Sequence, residues 1–362
     1  DGDALSARLD DRLSDLFETR VSAFWVSSGT AANSLALAAL CPPYGGIVCH
    51  RDSHIQNDEC GAPEFYTDGA KLLLADGDGA KLTPYTVAET CDLIANDVHR
   101  VQPLALSITN ATEYGRVYTP EEVAALGDFA KARALAFHMD GARFANAVVA
   151  LGCTPAEMTW KRGVDIVSFG GTKNGCWCAE AVLVFNPDHG RQMDYLRKRA
   201  GHIASKARFV SAQFEAYFAD GLWLEMAAHA NRMGARVAGI IAARNRFRLA
   251  WQPQGNEVFA VGPKEAVDAL AEKGAQFSHW QPPRAEHHLV GEDEAMIRLV
   301  ASFATTDADV AALDVAPTVE NEPVLPLAWV SVWPMPVQRP PSANRPDSDR
   351  PSANITLQRH NE

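Results

Sequence analysis

Apolar residues recur along the chain in two rhythms, and the change of rhythm marks its organisation. Short runs rich in β-branched and aromatic residues, at 23–26, 47–49, 104–109, 135–139, 164–169 and 180–185, alternate with helical stretches such as the Ala/Leu-rich 31–40. Runs that are apolar throughout suit strands covered on both faces. The pattern therefore predicts an α/β fold, a mostly parallel sheet with helices on either side. From 211 to 233 the period is that of one extended amphipathic helix, with Phe214, Tyr217, Phe218, Leu222 and Leu224 inward. It bridges to a smaller α/β unit, so the expected division is a large domain over 1–234 and a small C-terminal domain over 235–315. Residues 316–362, with Pro334, Pro336, Pro340, Pro341, Pro346 and Pro351, keep no amphipathic period and read as a disordered tail, the patch from Leu327 to Trp333 excepted.

Three of the strand ends carry chemistry, and ligands in such sheets sit just beyond the carboxyl ends of the strands. In Ser168-Phe-Gly-Gly-Thr-Lys-Asn-Gly-Cys-Trp177 a lysine follows an apolar run inside a glycine-rich loop. Lys173 is a candidate for covalent attachment to an aldehyde cofactor, although spacing alone also fits a solvated loop lysine. In Leu135-Ala-Phe-His-Met-Asp-Gly-Ala-Arg143 a second run ends at Asp140. A carboxylate there suits the pyridine nitrogen of pyridoxal phosphate, which must stay protonated to accept an electron pair; a helix N-cap is the ordinary alternative. In Ala23-Phe-Trp-Val-Ser-Ser-Gly-Thr30 a strand turns into the Ala/Leu helix, and the N–H groups of a helix start favour a phosphate. The stretch lacks the glycine spacing of a dinucleotide fold and the Gly-Lys-Ser/Thr ending of a P-loop.

In this order the three motifs resemble fold-type-I pyridoxal phosphate enzymes, and among them the chain resembles the low-specificity L-threonine aldolase family. The resemblance rests on Gly29-Thr-Ala-Ala-Asn-Ser-Leu-Ala-Leu37, Ser53-His-Ile-Gln-Asn-Asp-Glu-Cys-Gly-Ala-Pro63, Ala111-Thr-Glu-Tyr-Gly-Arg-Val-Tyr118, His138-Met-Asp-Gly-Ala-Arg-Phe144 and Phe169-Gly-Gly-Thr-Lys-Asn-Gly175, and it fades toward Asp314. It implies that Lys173 holds the cofactor covalently, that Asp140 meets the pyridine nitrogen, and that Ser28, Gly29, Thr30 and Thr172 hold the phosphate. His54 would stack on the ring and, with an imidazole near neutrality, carry protons. Arg143 would reach the cofactor's phenolic oxygen or the substrate carboxylate, and Arg298 the substrate carboxylate. The base that removes the substrate hydroxyl proton is His54 or Glu113, and Glu113 also fits an ordinary turn carboxylate.

The implied reaction is retro-aldol cleavage of L-threonine, allo-threonine or phenylserine to glycine and an aldehyde. Racemisation, β-elimination or transamination on the same cofactor, or a non-catalytic relative, are the alternatives. The implied assembly is a homotetramer, a dimer of dimers in which Lys206 or Arg208 supplies a cation to the neighbour's phosphate. Two departures from the family are expected to matter: the chain starts inside an early helix, past a segment that contacts substrate, and the terminal tail replaces the last helix.

Composition narrows the partners. At 362 residues and 47% hydrophobic the chain can bury a large core, and a net charge of −12 argues against a nucleic-acid or anionic-membrane surface. The start reads as no signal peptide, and no apolar stretch is long enough to span a bilayer, so a cytoplasmic location is expected. Seven cysteines in core-like contexts suggest mostly buried thiols rather than a disulfide framework. Cys176-Trp177-Cys178 lacks the second pair that a structural zinc site needs, so no metal site is expected. The bulk of Trp177 is expected to crowd the strand that follows.

Overall fold

The computed structural model describes residues 3–272 and 275–315; the expected tail lies outside them. Seven strands form the larger sheet: β1 (Ser22–Val26), β2 (Gly45–His50), β3 (Lys71–Ala75), β4 (Gln102–Thr109), β5 (Ala136–Gly141), β6 (Ile166–Gly170) and β7 (Glu180–Val184). Their order is β1-β7-β6-β5-β4-β2-β3, and β7 alone runs antiparallel to its neighbours. Alternation along each strand sends side chains to two cores. Val167, Phe169, Ala181 and Leu183 join one with Phe17, Phe137, Phe144, Phe214 and Trp223. Ile166, Val182 and Val184 join the other with Ala32, Leu35 and Ala36. Helices on both faces account for strands buried on both sides, as the continuous apolar runs predict.

The helix Gly29–Leu40 is unusual in being buried from Ala31 to Leu37 without interruption. Ala and Leu suit that position between the sheet and outer helices, and they leave Asn33 and Ser34 as polar groups inside an apolar element.

The single long helix expected from 211 to 233 is in fact two, Arg208–Phe218 and Leu222–Ala242, separated by a turn. Asp220 (φ 50°) and Gly221 (φ 77°) both take the left-handed conformation there, which a continuing helix does not allow. The break re-aims the face: Trp223 is buried against Phe169 and Phe218 and Leu224 packs half-buried against the same core, while Leu222 is exposed, contrary to expectation.

A second sheet of β8 (Arg248–Leu249), β9 (Glu257–Pro263), β10 (Ser278–Trp280) and β11 (Glu294–Val300) is antiparallel throughout, in the order β10-β11-β9-β8. Val258, Ala260, Ile297 and Leu299 pack under Val237 and Ile241 of the long helix. That helix spans the boundary expected at 234/235, and through Asn231, which exchanges hydrogen bonds with Asn146, it also grips the larger sheet's helix Phe144–Leu151. No helix among the described residues is long and apolar enough to cross a membrane.

Two expectations about side chains are corrected. Trp177 is 82% exposed and leaves β7 uncrowded, because the Gln213 side chain accepts its backbone N–H and turns the loop outward. All seven cysteines are free, but only Cys41, Cys49 and Cys91 are buried; Cys60 is exposed and the others are half-buried.

Candidate active site

The carboxyl ends of β1, β4, β5 and β6 open onto one place, and the sequence motifs supply it. After β6 the chain makes a short turn, Thr172–Asn174, fixed on either side of the lysine. Glu180 Oε1 accepts the Thr172 N–H (3.2 Å), and Asn174 Nδ2 donates to Tyr217 Oη (2.7 Å) and to the Trp223 carbonyl (2.8 Å). Gly175 closes the turn at φ 113°, where a Cβ would strike Met226 Cε. Lys173 between these anchors is exposed and makes no hydrogen bond or ion pair among the described residues. Its charge is felt at His54, Glu113 and Glu180.

Asp140, near the end of β5, is buried, and each of its oxygens is held by one hydrogen bond. Its Oδ1 accepts the Ala142 N–H (2.9 Å), and its Oδ2 accepts Asn33 Nδ2 (2.8 Å). The same Asn33 amide donates to Glu59 Oε1 (2.8 Å), which in turn pairs with His54 Nδ1 (2.8 Å). Thus His54, Glu59, Asn33 and Asp140, from three separate stretches of chain, form one hydrogen-bonded line. The ligand atoms of His54, Glu59 and Asp140 lie within 4.8 Å of one another, the one such group of metal-competent side chains among the described residues.

The line alters the chemistry expected of His54. Burial works against its charge, but the Glu59 hydrogen bond and the Glu113 and Asp140 carboxylates outweigh burial and Lys173, and the imidazole is held up at about 9. Burial also lifts the Glu59 carboxyl above its usual range. The pair's proton resides on the imidazole, since Asn33 already stabilises Glu59 as an acceptor. The near-neutral imidazole expected from the sequence is therefore corrected: His54 is charged through the neutral range.

Glu113 follows β4 in a loop that the smaller sheet clasps, with Trp251 Nε1 donating to the Tyr114 carbonyl (3.1 Å) and Gln254 Oε1 accepting the Val117 N–H (2.8 Å). Burial raises its carboxyl above the ordinary range, against the pull of His54 and Lys173. It is a buried, strongly perturbed acid within reach of the site's charges rather than a solvated turn residue.

Arg143 and Arg298 converge on a carboxylate that sequence reading did not single out. Arg143 Nη2 lies 3.0 Å and Arg298 Nη1 3.6 Å from Glu257 Oε1, and the Arg298 guanidinium carbon sits 3.8 Å over the Trp280 ring. Glu257 is 1% exposed, and neither of its oxygens, nor Arg298 Nε, has an aligned hydrogen bond. Burial makes Arg298 a weaker base than usual, with Glu257 opposing.

At the start of the helix Gly29–Leu40, Ser28 spends its hydroxyl on capping, accepting the Ala31 N–H (3.2 Å). A Cβ on Gly29 would meet nothing within 4 Å, and the buried Thr172 hydroxyl faces the Glu180 carboxylate. Open space at a helix N-terminus, with its unspent N–H groups, is a donor set that fits a phosphate. Arg208 and Lys206 are exposed and outside this cluster; the charge of Arg208 acts on Asp3.

Sequence reading missed Asn33, Glu59, Glu180 and Glu257. Asn33 had a signal, a lone amide within an Ala/Leu helix, which burial obliges to find partners. Glu59 lay unremarked inside a quoted motif, and the other two open strands like any half-polar position.

A mostly parallel sheet with a free lysine, a buried strand-end carboxylate and an open helix start at the carboxyl ends of its strands fits the fold-type-I pyridoxal phosphate class of enzymes. Comparison with known proteins carries this further. Residues 1–262 match the beta-eliminating lyase family model, and the chain belongs to that family. It is 45% identical over 275 residues to the low specificity L-threonine aldolase of a Pseudomonas species, covering 76% of this chain and 79% of that protein. It is 44% identical, with the same coverage, to the one from Pseudomonas aeruginosa. In structure it resembles the threonine aldolase of Leishmania major, with a TM-score of 0.79 at 25% identity over 86% of this chain and 88% of that one.

Proposed function

We propose that the protein is a pyridoxal phosphate-dependent L-threonine aldolase that cleaves L-threonine, allo-threonine and phenylserine-type β-hydroxy-α-amino acids to glycine and an aldehyde. The observation that carries the reading is the unpaired Lys173 beside the Asp140–Asn33–Glu59–His54 line at the carboxyl ends of the central strands, in a chain 45% identical to an L-threonine aldolase. The cofactor, when bound, supplies an electron sink for the pair released at Cα.

The chain's own residues divide the remaining work. Lys173 would hold the cofactor through its aldehyde. Asp140, fixed by Asn33 and the Ala142 N–H, offers its carboxylate to the pyridine nitrogen, and Gly29, Thr30 and Thr172, with the Ser28 turn, receive the phosphate. His54 would face the cofactor as a charged, Glu59-oriented imidazole. That charge favours Glu113 as the base, since a buried carboxylate raised above its usual range accepts a proton more readily than an imidazole already holding one. Glu113 takes the proton from the substrate's Cβ hydroxyl, and Arg143 and Arg298 hold the substrate carboxylate with their paired forks. By fixing the substrate carboxylate, Arg143 and Arg298 would set which bond at Cα is cleaved.

The reading extends to a cytoplasmic homotetramer with large and small domains over 1–234 and 235–315, and with Lys206 or Arg208 serving the neighbour's phosphate; the resemblance supports it. Aldehyde release from L-threonine and L-phenylserine, with one glycine formed for each aldehyde, tests the reaction, and Glu113→Gln distinguishes the base. Loss of the rate in Glu113→Gln with cofactor retained is expected. Full activity in that variant would return the role to His54.

A further inference from the structure

Glu180 is a buried carboxyl that the steps above leave unused. It opens β7, the one antiparallel strand of its sheet, and its register partners are Gly170 on β6 and Val26 on β1. Each partner leads directly into a functional turn, Gly170 into the Lys173 turn and Val26 into Ser28–Gly29–Thr30. Val182 and Val184, two and four residues on, pack against the helix Gly29–Leu40, so period-2 alternation puts Glu180 on that helix's side of the sheet. Because β7 runs opposite to β1 and β6, its first residue lies where that helix begins. Glu180 is 6% exposed, and its Oε1 accepts the Thr172 N–H, with the Thr172 hydroxyl also facing the carboxylate.

A carboxylate so placed conflicts with a phosphate. The groups that face it are Thr172 and Lys173 from the turn, Asp140 from β5, Cys176 from the glycine loop and Tyr217 from the helix Arg208–Phe218. Lys173 is the single cation among them. Burial, opposed by Thr172 and Lys173, already pushes the Glu180 carboxyl up to about 7. A phosphate bearing up to two charges beside it raises the cost of ionisation further, as when two carboxylates share one site.

Resting on the cofactor assignment above, we propose that Glu180 takes up a proton when the cofactor phosphate binds, so that the loaded enzyme carries a neutral carboxylic acid between its phosphate turn and its lysine turn. The neutral acid keeps its hold on the Thr172 N–H and removes a like charge from the phosphate. Because its value is already raised, Glu180 is largely ionised above about pH 7 before binding, so uptake is largest near pH 8 and vanishes toward pH 6.

Calorimetric titration of the cofactor-free chain with pyridoxal phosphate, in buffers of differing ionisation enthalpy, counts the protons. At pH 8 the unaltered chain is expected to take up about half a proton to one proton more than Glu180→Gln, with the difference gone near pH 6 and absent for pyridoxal, which lacks the phosphate. Equal uptake by the two chains at pH 8 would overturn the inference while leaving the cofactor assignment intact; failure to bind pyridoxal phosphate at all would overturn both. Should Glu180→Gln not fold, infrared difference spectra of the unaltered chain decide. A protonated-carboxyl band appearing with pyridoxal phosphate and not with pyridoxal is expected, and its absence would overturn the proposal.

Discussion

Two charged clusters meet at Glu113, and they are joined by different contacts. Around Asn33, the Asp140 and Glu59 carboxylates and the His54 imidazole are linked by directed hydrogen bonds of 2.8 Å, although Glu59 Oε2 and Asn33 Oδ1 stay unpartnered. Around Glu257, Arg143 and Arg298 approach at 3.0 and 3.6 Å without an aligned hydrogen bond to either carboxylate oxygen. The first cluster is preorganised, each group fixed in direction before any ligand arrives. In the second, attraction brings the arginines together but leaves their forks unspent, which suits groups that must still receive a carboxylate. The site thus holds its cofactor-facing side rigid and keeps its substrate-facing side under-satisfied.

Removing the centre of the first cluster should have the largest effect. Asn33→Ala leaves two buried carboxylates without their shared donor and is expected to lower stability by about 4 kcal/mol in urea unfolding, at 1.5–3 kcal/mol for each hydrogen bond to a charged group. A loss below about 1 kcal/mol would dissolve the contrast. Glu257→Gln should cost less, about 3 kcal/mol, the low end for breaking a buried pair, because no aligned hydrogen bond is lost and the amide keeps the volume. Added glycine should recover part of that loss by offering the arginines a carboxylate; no recovery would mean that their forks are not available.

Titration sharpens the comparison further. Glu59→Gln should bring His54 down from about 9 toward the ordinary imidazole value of about 6.5, read by NMR of the ring protons. The folded value lies above the unfolded one, so the proton on His54 contributes its full stability below about pH 6.5 and loses it as pH rises through about 9. The stability difference between the unaltered chain and Glu59→Gln should shrink over that window, and a constant difference would contradict the pairing. The smallest effect belongs outside both clusters: Trp177→Ala, at an 82% exposed position, should change stability by less than about 0.5 kcal/mol.

Much of this was legible before the structure, for a physical reason. Strand ends in a parallel sheet gather ligand-binding residues, so Lys173, Asp140 and the Ser28–Thr30 turn could be placed by their local context, each after an apolar run. The strands themselves followed from burial on both faces. What escaped was whatever depends on pairing between distant segments. Asn33 and Glu59 gain their meaning only when a helix and a loop meet over β5, and Glu257 stands among arginines more than a hundred residues before it and forty after it only in three dimensions. The charge on His54 was misjudged because its partner, five residues on, was not recognised as buried. The helix break at Asp220 was hidden by an apolar period that continues across it, and the Asp-Gly pair was the available sign.

The central claim is that Lys173, held free between two anchored neighbours, is the residue that binds the cofactor aldehyde. Borohydride reduction of the chain loaded with pyridoxal phosphate, followed by peptide mass spectrometry, tests it directly. A single pyridoxyl group on Lys173 is the expected result; a modification on another lysine, or none on any, would contradict the account.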